Sequence, residues 1–245
     1  MKNLCRIFIR MLTTCYLFIG SVTATFALAG GWYGSAFAQV VSDETQQKIQ
    51  ARAAMVAAEE LYSHNDYDKA IEQWREAIRL DPSLARAHHD LGMALRGKGQ
   101  TAEAIPLLQE AVRLDPKNGT AYADLGDALQ EQNNLDGALT AYQAALALVP
   151  KSAPVRNNLG YVFVKKGNLD SAIAEWREAA RIDPKYPPAH INLGEALENK
   201  GDTEGAIAAY ERFLELVTNR EDIETIRKRI ETLKSGAKPQ VTPEK

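Results

Sequence analysis

The chain has 245 residues, of which 45% are hydrophobic and 25% charged, and this is the composition of a globular protein rather than a disordered one. The formal net charge is −3 and becomes −6 without the first 38 residues, which excludes a general affinity for nucleic acid or anionic lipid. Both cysteines, Cys5 and Cys15, lie in those first 38 residues, so the rest of the chain offers no disulfide or thiolate metal site.

Residues 1–38 have the pattern of a secretory signal rather than of a folded segment. Three bases open the segment, residues 11–29 are strongly apolar, and Ala36 and Ala38 supply the small residues that a signal peptidase reads. Cleavage after Ala38 would leave Gln39 as the new N-terminus. This pattern predicts an exported protein in the periplasm or another extracytoplasmic compartment.

An uncleaved membrane anchor is the alternative for the same segment. The apolar run over residues 11–31 is long enough to cross a bilayer as a helix. Both interpretations leave the bases in the cytoplasm and place the remainder of the chain outside it. Contact with a membrane is expected only through this segment, and only if it stays uncleaved.

An internal period of 34 residues organises the chain from residue 51 to residue 220. Four kinds of residue recur at that spacing: proline, alanine, glycine and a large apolar residue. The columns are Pro82, Pro116, Pro150 and Pro184; Ala70, Ala104, Ala138, Ala172 and Ala206; Gly92, Gly126, Gly160 and Gly194; and Trp74, Leu108, Tyr142, Trp176 and Tyr210. They predict five units, at 51–84, 85–118, 119–152, 153–186 and 187–220, with a lead-in helix over 39–50.

The columns have a physical reason in a pair of packed helices. The glycine and alanine columns let two helices approach closely, and the large apolar column fills the space between them. A further column holds only Asn or Gly, the residues that accept the left-handed conformation ending a helix. It consists of Asn65, Gly99, Asn133, Gly167 and Gly201. Each second helix is expected to end before the proline column.

These columns resemble the tetratricopeptide repeat (TPR). The segments DLGMALRGKGQTAEAIPLLQEAVRLDP and NLGYVFVKKGNLDSAIAEWREAARIDP match that family throughout. The resemblance, with the N-terminal segment, is to TPR proteins of the exported bacterial type. It implies an all-α solenoid, in which antiparallel helix pairs stack into a right-handed superhelix with a concave inner face.

The C-terminal residues predict a cap and a tail. Residues 221–234 place Ile223, Ile226, Ile230 and Leu233 on one helix face, with acids at the start and bases following, as a capping helix would have. Thr218 and Glu221 have the spacing of a capping box at its start. Residues 235–245 are expected to form a disordered tail.

The resemblance also implies which residues face a partner, because the first helix of each pair lines the concave groove in this family. A protein partner, as a peptide or a helix, would bind there. The predicted groove residues are Arg52, Glu59, Tyr62, Arg86, His89, Asp90, Met93, Arg96, Asp124, Asp127, Asn157, Asn158, Tyr161, Lys165, Asn192 and Glu195.

Two patterns in this groove have competing interpretations. Its charge runs from basic at the start to acidic in the third and fifth repeats, which would orient a bound segment, or which only reflects solvated helix faces. Asp90, Asp124, Asn158 and Asn192 are spaced 34 apart. In the repeat arrays of O-GlcNAc transferases an asparagine ladder at this place holds a peptide backbone. The alternative is that these residues bond to neighbouring helices.

The residues favour a binding protein over an enzyme. His88 and His190 fall in a helix-packing column, His64 falls in a turn, and no phosphate loop, nucleophile elbow or metal-ligand spacing occurs. We therefore predict a non-enzymatic scaffold or adaptor without cofactor, metal or catalytic residues. The alternative is a structural subunit or assembly factor of a cell-envelope or membrane complex that uses its convex or edge surfaces. The partner, the pathway, the oligomeric state and the face used stay open.

Overall fold

The computed structural model describes residues 43–236, and this part of the chain is entirely helical, with eleven α-helices and no strand. The predicted signal or anchor segment, residues 39–42 of the lead-in and residues 237–245 of the tail lie outside the described residues. Within residues 43–236, no helix is long and apolar enough to cross a membrane. The predicted all-α class is confirmed.

The chain divides into two compact units, the first of which ends at Asp115. Its helices are α1 (Asp43–Ser63), α2 (Tyr67–Leu80), α3 (Ala85–Gly97) and α4 (Thr101–Leu114). Consecutive helices pack on one another, so α1 with α2 and α3 with α4 form two hairpins that meet along α2 and α3. With 21 residues, α1 is the longest helix in the described part of this unit, because it includes residues of the predicted lead-in.

The second unit begins at Pro116, and its residues up to 236 form seven helices. They are α5 (Gly119–Glu131), α6 (Leu135–Leu148), α7 (Ala153–Lys165), α8 (Leu169–Ile182), α9 (Pro187–Lys200), α10 (Thr203–Leu214) and α11 (Arg220–Lys234). Three hairpins, α5 with α6, α7 with α8 and α9 with α10, stack in chain order, and α11 packs against α10.

The helix ends follow the predicted columns. Asn65, Gly99, Asn133, Gly167 and Gly201 all have a positive φ, between 57° and 83°. The left-handed residue turns the chain at the end of each first helix. The following helix then begins within a few residues, and Asn134, Asn168 and Asp202 cap it by accepting a bond from a backbone N–H three residues later. The predicted positions of these turns are confirmed.

The core of each hairpin is a contact between a small and a large residue. The alanines at 70, 104, 138, 172 and 206 are buried, and the large apolar residues that follow them are buried too. A Cβ placed on Gly160 would lie 2.6 Å from the Trp176 Nε1, and one on Gly194 would lie 2.4 Å from the Tyr210 ring. Glycine therefore allows the two helices of these hairpins to approach with an aromatic ring between them.

The last helix packs an apolar stripe onto the preceding helix of the second unit. Ile226 and Ile230 of α11 join a buried cluster with Phe213, which stands where earlier repeats have a buried alanine. The larger side chain of Phe213 thus packs against α11, where an earlier repeat would have the next hairpin. The N-cap is Asn219, whose side chain accepts from the Glu221 N–H at 2.9 Å, so the predicted capping box with Thr218 is wrong.

Candidate functional site

Three first helices of the second unit, α5, α7 and α9, join predicted groove residues into one hydrogen-bonded chain. On α9, Asn192 Nδ2 donates to Asn157 Oδ1 at 2.8 Å. Asn157 Nδ2 donates to Asn158 Oδ1 at 3.2 Å, and Asn158 Nδ2 donates to Asp127 Oδ1 on α5 at 2.9 Å. These four residues, predicted as separate groove positions, therefore form one polar network across three hairpins.

A buried tyrosine holds the carboxylate at the end of this chain from the core side. Tyr142 on α6 is fully buried, and its OH donates to Asp127 Oδ1 at 2.6 Å and to Gln130 Oε1 at 3.3 Å. Trp176 acts similarly in the next hairpin, because its Nε1 donates to the Asn157 carbonyl oxygen at 3.0 Å. The aromatic column thus packs the core and also fixes the groove residues above it.

An exposed apolar strip lies beside the amides on α7. Tyr161 is 42% exposed and Val164 is 39% exposed. Residues three and seven positions after Asn158 share its helix face, which places Tyr161 and Lys165 next to it. Lys165 Nζ lies 5.3 Å from the centre of the Tyr161 ring. This face can contact an apolar side chain while the amides bind a backbone.

The fifth-repeat end of the face is closed by α11. Arg229 Nη1 donates to Glu195 Oε1 at 2.9 Å, and its Nε donates to Glu198 Oε2 at 2.7 Å. Glu198 is only 5% exposed and also accepts from the Tyr210 OH at 2.7 Å. Glu195, a predicted groove residue, is therefore already paired within the chain.

Two tyrosines around this site stay protonated over a wide pH range. Burial raises the pKa of Tyr186, just before α9, and the charges of Asp127 and Asp183 raise it further. Burial and the bond to Glu198 raise the pKa of Tyr210 well above its ordinary value, although Arg229 acts in the opposite direction. Both hydroxyls therefore remain neutral next to carboxylates at physiological pH.

In the first unit, the predicted groove charges pair with one another. Arg86 Nη2 lies 3.0 Å from Glu59 Oε1, and its Nε lies 3.3 Å from Asp90 Oδ2. His89 Nδ1 lies 3.2 Å from the other oxygen of Asp90. Together with the pairing of Glu195, these contacts neutralise much of the charge gradient that the sequence suggested.

Two further kinds of contact, one to a sulfur and one between aromatic rings, occur on this face of the first unit. Arg96 Nη1 lies 3.7 Å from the sulfur of Met93. The exposed Tyr62 ring makes an edge contact with Tyr67 at 5.0 Å and a tilted contact with the buried Trp74 at 5.6 Å. No later hairpin repeats this aromatic cluster, since Tyr62 and Tyr67 have no aromatic counterparts in the other repeats.

The remaining predicted residues differ in their exposure. Arg52 is exposed and Asp124 is half-buried. Asn157 is 9% exposed, so its side chain serves the network and is not open to a partner. Asn158 and Asn192 do bond to neighbouring helices, which was the alternative to a peptide-binding ladder. Each of the two amides still has one Nδ2 hydrogen outside those bonds.

The histidines have structural contacts. His88 Nε2 lies 3.0 Å from the Pro82 carbonyl oxygen, and His190 Nε2 lies 3.1 Å from that of Pro184. Both are buried, as the packing column predicted. Across residues 43–236, no three His, Cys, Asp or Glu side chains come together as metal ligands would.

Sequence reasoning missed two residues that shape the site, Tyr142 and Arg229, and it missed the pairing of Arg229 with Glu198, a residue that the family resemblance also places in the groove. Tyr142 was predicted only as a packing residue. Its column holds Leu108 in the second repeat, so packing there does not require a hydroxyl, and a buried tyrosine hydroxyl usually has a hydrogen-bond partner. Glu198 and Arg229 are 31 residues apart and meet only because α11 folds back on α9 and α10. No local pattern marks that pair.

Comparisons with known proteins agree with the repeat pattern. A family model described as TPR repeat matches residues 126–167 and 160–201, and two described as tetratricopeptide repeat match residues 55–119 and 189–224. Together the matches run over more than half of the chain. No curated protein sequence matches it.

Solved structures with a similar fold include MamA, at 27% identity over 70% of this chain and 96% of MamA, with a TM-score of 0.62. YrrB, described as a TPR protein with an unusual peptide-binding site, is 24% identical over 79% of this chain and 98% of its own, with a TM-score of 0.64. MamA from Desulfovibrio magneticus RS-1 is 20% identical over 72% and 96%, with a TM-score of 0.65. The last two show similarity of fold alone, and none of these matches indicates a catalytic function.

Proposed function

We propose that this chain, which carries tetratricopeptide repeats, is a non-enzymatic scaffold or adaptor that binds a peptide or helix of a partner protein on the first-helix face of its second unit. Such repeats generally act in protein–protein interaction, and a fold alone does not choose the face. The face therefore has to be argued from its own residues.

The observation that carries the proposal is the fixed amide chain beside an exposed apolar strip. Asn158 and Asn192 have amide groups that can pair with a peptide backbone, and the Asp127 contact holds one of them in place. Tyr161, one turn after Asn158, and Val164, nearly two turns after it, supply exposed apolar area on the same helix. Fixed polar groups next to an aromatic anchor favour high affinity, because side chains that are already held in place lose little conformational entropy on binding.

The test is an affinity pull-down of the tagged full-length protein from its own cells after mild cross-linking. The double variant Asn158→Ala/Asn192→Ala removes both backbone-binding amides and is expected to lose the partner. Leu148→Asp, on the outer face of α6, is the comparison variant and is expected to retain it. Recovery of the same partner by the double variant would contradict the proposal.

A second candidate, a structural subunit that binds through its outer surface, rests on one observation about α6. On three other second helices a Glu–Arg pair three residues apart covers the outer face, at Glu76–Arg79, Glu110–Arg113 and Glu178–Arg181. The matching places on α6 are Ala144 and Ala147. Leu148 and Val149, which follow, are 40% and 48% exposed. Loss of the partner with Leu148→Asp alone would favour this candidate.

The proposed location is outside the cytoplasm, and its support is the pattern of residues 1–38. The alternative is a membrane anchor over residues 11–31 with the repeats on the same outer side. N-terminal sequencing of the protein isolated from cell fractions tests both. A chain that begins at Gln39 in the soluble extracytoplasmic fraction supports cleavage, whereas an intact N-terminus in the membrane fraction supports the anchor.

A further inference from the structure

The hydrogen-bonded chain on the second unit has a direction. Each link donates toward the third repeat: Asn192 to Asn157, Asn157 to Asn158, and Asn158 to Asp127. A neutral amide chain could run either way, because an amide group has a donor and an acceptor at similar positions. The residue at its end therefore decides the direction.

Asp127 is that residue, since an ionised carboxylate only accepts hydrogen bonds. It accepts from Asn158 Nδ2 at 2.9 Å and from the Tyr142 OH at 2.6 Å through the same oxygen. Asn158 must then turn its nitrogen toward α5 and its oxygen toward Asn157. Asn158 Oδ1 accepts from Asn157 Nδ2. Because Asn157 points its nitrogen toward Asn158, its Oδ1 faces Asn192 and accepts from Asn192 Nδ2.

The orientation reaches the solvent at Asn192. Its Nδ2 is fixed toward Asn157 with one hydrogen, while its Oδ1 accepts nothing from the described part of the chain. The second Nδ2 hydrogen and the oxygen lie side by side on a half-buried residue. An amide held in this way can pair with the C=O and the N–H of an extended backbone, and the pairing is complete only for one direction of that backbone.

We infer that Asp127, positioned by Tyr142, sets the direction in which an extended peptide lies on this face. The inference rests on the proposed function and deepens it, because it states how the partner segment is read. A helix as partner has its backbone groups paired internally, so the directional amides favour an extended segment.

The matched variant is Asp127→Asn, which keeps the shape of the side chain but gives it a donor as well as an acceptor. Asn158 can then be held in either orientation, and the amide chain loses its fixed direction. Asp170→Asn is the control, because Asp170 pairs with Lys200 at the surface away from this network. Tyr142→Phe keeps the buried ring and removes the hydroxyl that donates to Asp127 and to Gln130, while the Asp127 carboxylate itself stays.

The probe is a peptide selected from a displayed random library against the full-length protein and rejected by Asn158→Ala/Asn192→Ala. The peptide is synthesised with a spin label at either terminus, and broadening of the NMR signals of α5 and α9 reports its direction. In the wild-type protein each label is expected to broaden one helix only. In Asp127→Asn both labels should broaden both helices, with binding weaker by about tenfold, the loss expected for one charge-assisted bond.

The outcomes separate this inference from the proposed function. A single peptide direction that survives Asp127→Asn, with unchanged affinity, would overturn the inference and leave the binding face intact. A selection in which every peptide that binds the wild type also binds Asn158→Ala/Asn192→Ala equally well would yield no probe, and would overturn the proposed function and the inference with it. An intermediate loss for Tyr142→Phe and none for Asp170→Asn would support the role of the buried hydroxyl.

Discussion

At the scale of single residues, the glycine of the first helix and the aromatic ring opposite it act as one contact in the last three hairpins. Trp176 reaches the Asn157 carbonyl oxygen because Gly160 has no side chain in its way. The first repeat has Ala58 at the same place, and the Nε1 of its Trp74 is buried without a hydrogen-bond partner among the described residues. The repeat with alanine at this place therefore lacks the tryptophan hydrogen bond that the repeat with glycine makes.

Gly160→Ala should destabilise the protein. The new Cβ would lie 2.6 Å from Trp176 Nε1, so the ring must shift and its bond to Asn157 is lost. We expect the free energy of unfolding to fall by about 2 kcal/mol, the usual cost of overpacking a core. Urea denaturation of the two proteins measures it.

Gly97→Ala is the matched control for that change. No atom lies within 4 Å of the place its Cβ would take, so the helix preference of alanine should leave stability equal or slightly higher. Equal losses for the two variants would show that the ring contact is not the cause.

Tyr210 predicts how stability changes at alkaline pH. Its pKa is raised in the folded protein by burial and by Glu198, so the unfolded chain ionises first, near the ordinary value of 10.0. Below that pH, Tyr210 is protonated in both the folded and the unfolded chain, so its contribution to the free energy of unfolding does not change with pH. Above it, unfolding releases a proton and stability falls by up to about 1.4 kcal/mol per pH unit.

The measurement is the free energy of unfolding from about pH 9 to about pH 11, on either side of the ordinary tyrosine pKa. Tyr210→Phe removes the group that titrates and should make the alkaline decline shallower. An unchanged slope in that variant would mean that Tyr210 ionises freely in the folded state.

At the scale of helices, α11 is held by one buried carboxylate as well as by its apolar stripe. Glu198 has two partners, the Tyr210 OH and Arg229. Without Arg229, the nearly buried Glu198 carboxylate keeps only the neutral Tyr210 OH as a donor. Leaving a buried charge without its ionic partner costs far more stability than breaking a surface ion pair. The cap is therefore expected to depend on this single arginine.

Arg229→Met keeps the length of the side chain but removes its charge. We expect about 2 kcal/mol less stability for the docking of α11, a value below that of a fully buried pair because Arg229 is about one-third exposed. Hydrogen exchange should become faster in residues 223–234 and stay unchanged in α7. Lys228→Ala, which loses only an exposed pair with Glu224, should leave the exchange of α11 nearly as it is.

The helix ends show which local features the sequence could predict. The Asn and Gly column located five turns, because a left-handed residue is a strictly local requirement. The start of α11 was predicted wrongly, since two neighbouring residues, Thr218 and Asn219, can both cap a helix and only the path of the chain chooses between them.

At the scale of the whole molecule, the period predicted the fold class, and the site was only partly predicted. The family resemblance placed Asp127, Asn158 and Asn192 on the groove face of three successive first helices. It did not show that Asn157 turns inward to link two of them, because burial at that position depends on how the hairpins stack. Nor did it show that Arg86 and Arg229 neutralise acids on neighbouring helices, since those pairs are 27 and 34 residues apart.

The two candidate surfaces of the second unit predict opposite results for a partner captured in living cells. The first-helix face offers Tyr161 between the amides and Lys165, whereas the outer face offers Leu148 at the end of α6. Both side chains are about equally exposed, so chance encounters should reach them alike. A difference in capture therefore reports the bound partner.

The decisive measurement replaces Tyr161 or Leu148, one at a time, by the photo-reactive residue p-benzoylphenylalanine in the full-length protein. After illumination of cells, we expect one discrete adduct from position 161, lost on Asn158→Ala/Asn192→Ala, and none from position 148. An adduct from position 148 alone would contradict the proposed binding face and support the outer surface of α6 instead.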